Sequence, residues 1–87
     1  MVGNLNVLDS VGNGNVYIKN VVVLGDIVIS AENVKSVELI DVKARNIIVE
    51  SENNPVKIVY HDNVMIANTP QLPSIATGQK IGQNIKI

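Results

Sequence analysis

The sequence predicts an all-β fold, a parallel β-solenoid, on three observations. Short runs rich in Val and Ile recur throughout the 87 residues. They return at a step near 20 residues, in three interleaved columns. Between them stand Asn, Asp, Gly and Ser, which tolerate left-handed or turn backbone. A recurring step with three short strands in it describes a three-faced coil, here about four right-handed coils of ~20 residues in a single domain, 1–87.

The first column reads Val16/Ile18, Val37/Leu39, Val56/Ile58 and Ile75/Thr77, with steps of 21, 19 and 19 residues. The second begins Val21/Val23 and Val42/Ala44, degrades at His61/Asn63 and recovers near Ile81. The third is Leu5/Val7, Ile27/Ile29, Ile47/Val49, Val64/Ile66 and Ile85/Ile87, with steps of 22, 20, 17 and 21. In each short strand residues i and i+2 point inward and the middle residue points out. Twelve Asn residues suit the corners, where an amide can bond to its counterpart one coil away. Asn20 and Asp41 are equivalent corners in this register, as are Gly25 and Asn46.

The competing architecture is an antiparallel sandwich of short strands. Against it, no Asn-Gly or Asp-Gly turn joins two matched strands, and Gly25-Asp26 has the wrong order for a favoured hairpin turn. No segment holds a 3.6-residue period for ten residues, so helix is not expected.

Composition agrees with thin stacked layers. Hydrophobic residues make up 46% of the chain, enough for a continuous core, yet Phe and Trp are absent and Tyr17 and Tyr60 are the only aromatics. Val and Ile fill the core instead, and their β-branched side chains favour extended backbone. The net charge is −1 with no basic run, which argues against a nucleic-acid partner. Cysteine is absent, which removes thiol catalysis, disulfides and Cys-based zinc sites. No apolar stretch approaches the ~20 residues of a membrane-spanning helix, and Met1-Val2-Gly3-Asn4 is not a signal peptide.

The outward middle residues are where a partner would bind. On the first face they read Tyr17, Glu38 and Lys57, placing Glu above Lys as a cross-strand pair. The third face reads Asn6, Val28, Ile48, Met65 and Lys86, with three apolar residues in a continuous stripe. Such a stripe marks a covered surface. Val28, Ile48 and Met65, with Tyr17, are the candidate partner face. The expected cover is Thr69-Pro70-Gln71-Leu72-Pro73 folded back across it, ahead of an oligomer contact or a ligand.

No constellation of residues indicates catalysis. Glu50 and Glu52 could approach as paired carboxylates, but they lie in the polar run Glu50-Ser51-Glu52-Asn53-Asn54-Pro55 and read as a solvated loop. His61-Asp62 has no Ser or Cys nucleophile in its neighbourhood and reads as a coil irregularity. The Gly-Gly-x-Gly-x-Asp repeat of calcium-binding solenoids is missing, and Gly12-Asn13-Gly14 precedes no helix, so no metal, cofactor or phosphate loop is expected.

The stretch Asn15 to Ser30, with Asn20-Val21-Val22-Val23-Leu24-Gly25-Asp26 at its centre, followed by Val37-Glu38-Leu39-Ile40-Asp41-Val42, resembles β-helical repeats of bacterial cell-surface proteins. These are S-layer-type proteins and adhesins, the cellulose-binding tāpirins among them. The likeness covers roughly residues 15–66 and is one of rhythm, Asn-Val-x-Val-x-Gly-Asp. It implies an exported, wall-associated or adhesive module with a polysaccharide or cell-wall partner; the absence of a catalytic constellation points to a non-catalytic one. The poverty of aromatics departs from that picture, because flat rings normally grip sugars. The alternative is a self-assembling cytoplasmic filament similar to the bactofilins. Both readings answer the need to cover the open ends of a solenoid, by more chain or by another copy.

Overall fold

A computed structural model describes residues 3–7, 14–30, 34–50 and 55–87. Among them all regular structure is β-strand: β1 (Leu5–Val7), β2 (Gly14–Val22), β3 (Asp26–Ile29), β4 (Val34–Ala44), β5 (Asn46–Val49), β6 (Lys57–Tyr60), β7 (Val64–Ile66), β8 (Thr77–Lys80) and β9 (Ile85–Lys86). Every pairing between them is parallel. The chain is a β-solenoid of about three turns.

Three faces wind around one core. On the first, β2, the start of β4, β6 and β8 stack in that order. On the second, the end of β2, the end of β4, β7 and β9 stack. On the third lie β1, β3 and β5, and a single bridge from Ile48 to Gln71 adds the next rung. The sequence predicts about four coils, and the fourth rung is an incomplete turn. On the third face it is one bridged residue between Pro70 and Pro73, and proline cannot donate to a ladder.

β2 and β4 are long because each passes through a corner without ending. The turn is made by one residue in left-handed backbone, Asn20 at φ 55° in β2 and Asp41 at φ 53° in β4. Asn and Asp visit that region at lower cost than other side chains. The third and fourth rungs repeat the device with Asn63 at φ 59° and Asn84 at φ 60°.

The inward columns are almost wholly aliphatic. Ile27, Ile29, Val37, Leu39, Val42, Ile47, Ile58 and Val64 are completely buried. Each contributes about 1.5–3 kcal/mol relative to an exposed side chain, as an upper estimate. The intervening residues of β3 and β5, Val28 and Ile48, are half-buried, as the alternation requires.

Three registers differ from the expected ones. In the first column Ile58 and Tyr60, not Val56 and Ile58, stack on Val37 and Leu39, so the column runs Val16, Val37, Ile58, Gly78. Val56, Ile58 and Tyr60 are all buried, so the run offers two inward frames, and burial of the large Tyr60 ring goes with the later one. In the second column Val64 stacks on Val42 and Ile85 on Val64, giving steps of 21, 22 and 21. His61 and Asn63 are therefore corner residues rather than a degraded strand. The third column continues from Ile48 to Gln71 rather than to Met65, because a 17-residue step is too short for this coil.

Candidate functional site

These registers separate the expected partner face. Val28 and Ile48 are neighbours on the third face, each paired with the other's rung. Met65 lies on the second face, between Lys43 and Lys86, and is 41% exposed. Tyr17 stands on the first face opposite Glu38 and is 57% exposed. The three-residue apolar stripe is thus a pair, Val28 and Ile48, with polar Asn6 above and Gln71 below. The Thr69–Pro73 segment does not fold across that pair. It runs beside it as the next rung: the Gln71 N–H donates to the Ile47 carbonyl at 2.8 Å and its carbonyl accepts from Val49 N–H at 3.0 Å.

The surface charges are organised along the stack. Two ladders run down the two polar corners. In one, Asn63 Nδ2 donates to Asp41 Oδ1 at 2.8 Å and Asn84 Nδ2 donates to Asn63 Oδ1 at 3.1 Å. In the other, Asn46 Nδ2 donates to Asp26 Oδ1 and Asn68 Nδ2 to Asn46 Oδ1, both at 2.8 Å. Asn4 begins this second ladder by accepting the Asp26 N–H at 2.8 Å. Asn20 and Asp41 are equivalent corners, as expected; Asn46, however, faces Asp26 rather than Gly25.

Two glycines make room for these contacts. A Cβ on Gly25 would overlap Asn4 Oδ1 and the Gly3 carbonyl. A Cβ on Gly82 would overlap Asp62 Oδ1 and the His61 carbonyl, where Asp62 accepts the Gln83 N–H at 2.8 Å. The same device, an Asx carboxyl or amide oxygen over a glycine capping the following N–H, appears at two corners.

The expected Glu38–Lys57 pair is absent from the register, which sets Lys57 against Ser36 and Glu38 against Val59. Glu38 instead meets His61 Nε2 at 2.9 Å, both groups partly buried. His61 is therefore a partner of the preceding rung, and its neighbour Asp62 is a cap. Glu50 accepts from Ser30 Oγ at 2.7 Å, while Glu52 lies outside the described residues. Every described carboxylate, from Asp26, Glu38, Asp41, Glu50 and Asp62, thus bonds to another rung. Among the described residues no group of three or more His, Asp or Glu could hold a metal ion.

Two tyrosines have opposite surroundings. The Lys19 ammonium sits 6.0 Å from the centre of the exposed Tyr17 ring, a cation–π contact worth about 0.5–1 kcal/mol. Tyr60 is 2% exposed, and burial raises its phenol pKa above the ordinary 10.0. The one exposed ring on the described surface is therefore Tyr17. No helix among the described residues is long and apolar enough to cross a membrane. No family model, curated protein or solved structure matches the chain.

The ladders were partly visible beforehand. Asn4, Asp26, Asn46 and Asn68 recur at steps of 22, 20 and 22, and Asn20, Asp41, Asn63 and Asn84 at 21, 22 and 21. Following the Asx residues rather than the valines would have placed Val64 under Val42.

Proposed function

We propose that the chain is a non-catalytic structural module, a β-solenoid segment of a bacterial cell-surface protein that presents an adhesive face. One observation carries the non-catalytic part: the described carboxylates and His61 are spent on ties between rungs, so none is left paired and convergent for acid–base chemistry. The cell-surface part is supported by the resemblance over residues 15–66, whose Asn-Val-x-Val-x-Gly-Asp rhythm coincides with the corner from Asn20 to Asp26. Within that segment Tyr17, with Lys19 over its ring, is the group best suited to stack on a sugar. Val28 and Ile48 form a second, apolar patch on another face.

Co-sedimentation of the folded chain with cellulose, chitin and isolated cell walls tests the reading. Retention on at least one of them, reduced in Tyr17→Ala, is expected. A folded chain that stays in the supernatant with all three rejects the adhesive role.

The filament reading rests on a different observation, the exposed Ile81 and Ile87 at the last rung. Concentration-dependent growth into large polymers would favour it.

A further inference from the structure

The two ends of the inward columns are not alike. On the first face one column runs Val16, Val37, Ile58 and then Gly78. Its neighbour runs Ile18, Leu39, Tyr60 and then Lys80. Three apolar rungs are followed by a residue without a side chain and by a charge. A Cβ at Gly78 would stand 3.3 Å from the Tyr60 ring and 3.9 Å from Leu72. The Tyr60 ring and Leu72 therefore lie beside the place where a side chain at Gly78 would stand, and leave little room for a larger residue in this column. All four residues of β8 are exposed.

The third face ends in the same manner by other means. Its fourth rung is Gln71 alone, held between Pro70 and Pro73. Gln71 turns both backbone groups to the preceding rung, so Pro70 faces the open side by alternation and has no N–H to offer there. Only the second face continues its apolar column, through Ile85, in the two-residue strand β9. Inward charges, prolines and very short strands are the means by which sheet edges resist another strand.

We infer that the fourth rung is a poor docking edge: Lys80, Gly78 and Pro70 oppose the stacking of a second copy of the chain on this rung. A fifth rung would bury the Lys80 ammonium against apolar side chains without a partner, which is costly. The inference holds whatever the module binds on its faces, so it stands or falls apart from the adhesive role. It confines end-to-end growth, because a polymer needs both ends of each copy.

Sedimentation velocity across a wide concentration range tests it, on the native chain and on Lys80→Val and Pro70→Val/Lys80→Val. The thermal transition of each variant confirms folding, and the single change answers if the double one does not fold. The native chain is expected to sediment as one small species at every concentration, and the folded variants are expected to grow in size as concentration rises. Growth of the native chain overturns the inference. So does a folded variant that associates no more than the native chain, because then these residues are not what opposes stacking.

Discussion

Asn63 Nδ2 donates to Asp41 Oδ1 at 2.8 Å across 22 residues of chain, and both residues stand in left-handed backbone. The two properties serve one end. The corner needs a residue that tolerates positive φ, and the same short polar side chain then reaches its counterpart in the next rung. A column of such residues holds the rungs in register where the aliphatic core, which is nearly uniform, does not distinguish one slip from another.

Replacing Asn63 separates the two contributions. Asn63→Ala loses the bonds to Asp41 and Asn84 and also strains the backbone, for a cost of about 2 kcal/mol. Asn63→Gly keeps the backbone and loses only the bonds, at about 1 kcal/mol. For a domain of this size each kcal/mol lowers the thermal midpoint by about 4–8 °C. Thermal unfolding followed by circular dichroism checks the order, and an alanine variant more stable than the glycine variant would remove the argument from backbone strain.

Gly25→Ala tests the close approach at the other corner. The added methyl meets Asn4 Oδ1 and the Gly3 carbonyl, and backbone cannot yield as a side chain can. A loss of about 1–3 kcal/mol in chemical denaturation is expected. The change gaining stability, as alanine does at unstrained glycines, would mean that Asn4 does not lie over Gly25.

Inside and outside positions alternate at Val28 and Ile29. Ile29 is fully buried and Val28 half-buried in the same strand. Ile29→Asp is expected to abolish cooperative unfolding, because it buries an unpaired charge. Val28→Asp is expected to leave a folded chain with a lowered midpoint. Similar midpoints for the two variants would invert or erase the assigned alternation.

Tyr60 sets an alkaline limit. Burial raises its pKa above the ordinary 10.0, so the folded state favours the neutral phenol. The resulting stability is present below the unfolded pKa and is lost as pH rises through the folded one. In Tyr17→Phe, where Tyr60 is the only phenol, ultraviolet absorbance should show ionisation together with loss of the β-strand signal. Phenolate formation at the ordinary value with the fold intact would place Tyr60 outside the core.

The stacked parallel coil and most inward residues of β1 to β5 were legible in the sequence, because Val and Ile alternate there without interruption. The third rung was harder for two physical reasons. Val56, Ile58 and Tyr60 are all inward, so alternation alone does not choose the pair that meets Val37 and Leu39. The segment Thr69–Pro73 carries no β-branched alternation, so its place beside Ile48 went to the nearer strand Val64–Ile66. The apolar stripe divides at the same point: Val28 and Ile48 are neighbours, while Met65 belongs with Lys43 and Lys86. The tie between Glu38 and His61 joins a strand to a corner and had no strand register to announce it.

The register of the third rung is the claim on which the faces and the ladders depend, and interstrand nuclear Overhauser effects test it directly. Backbone contacts are expected between Lys43 and Met65 and between Ile48 and Gln71. Contacts between Ile48 and Met65, in place of these, would restore a continuous apolar stripe and contradict the account.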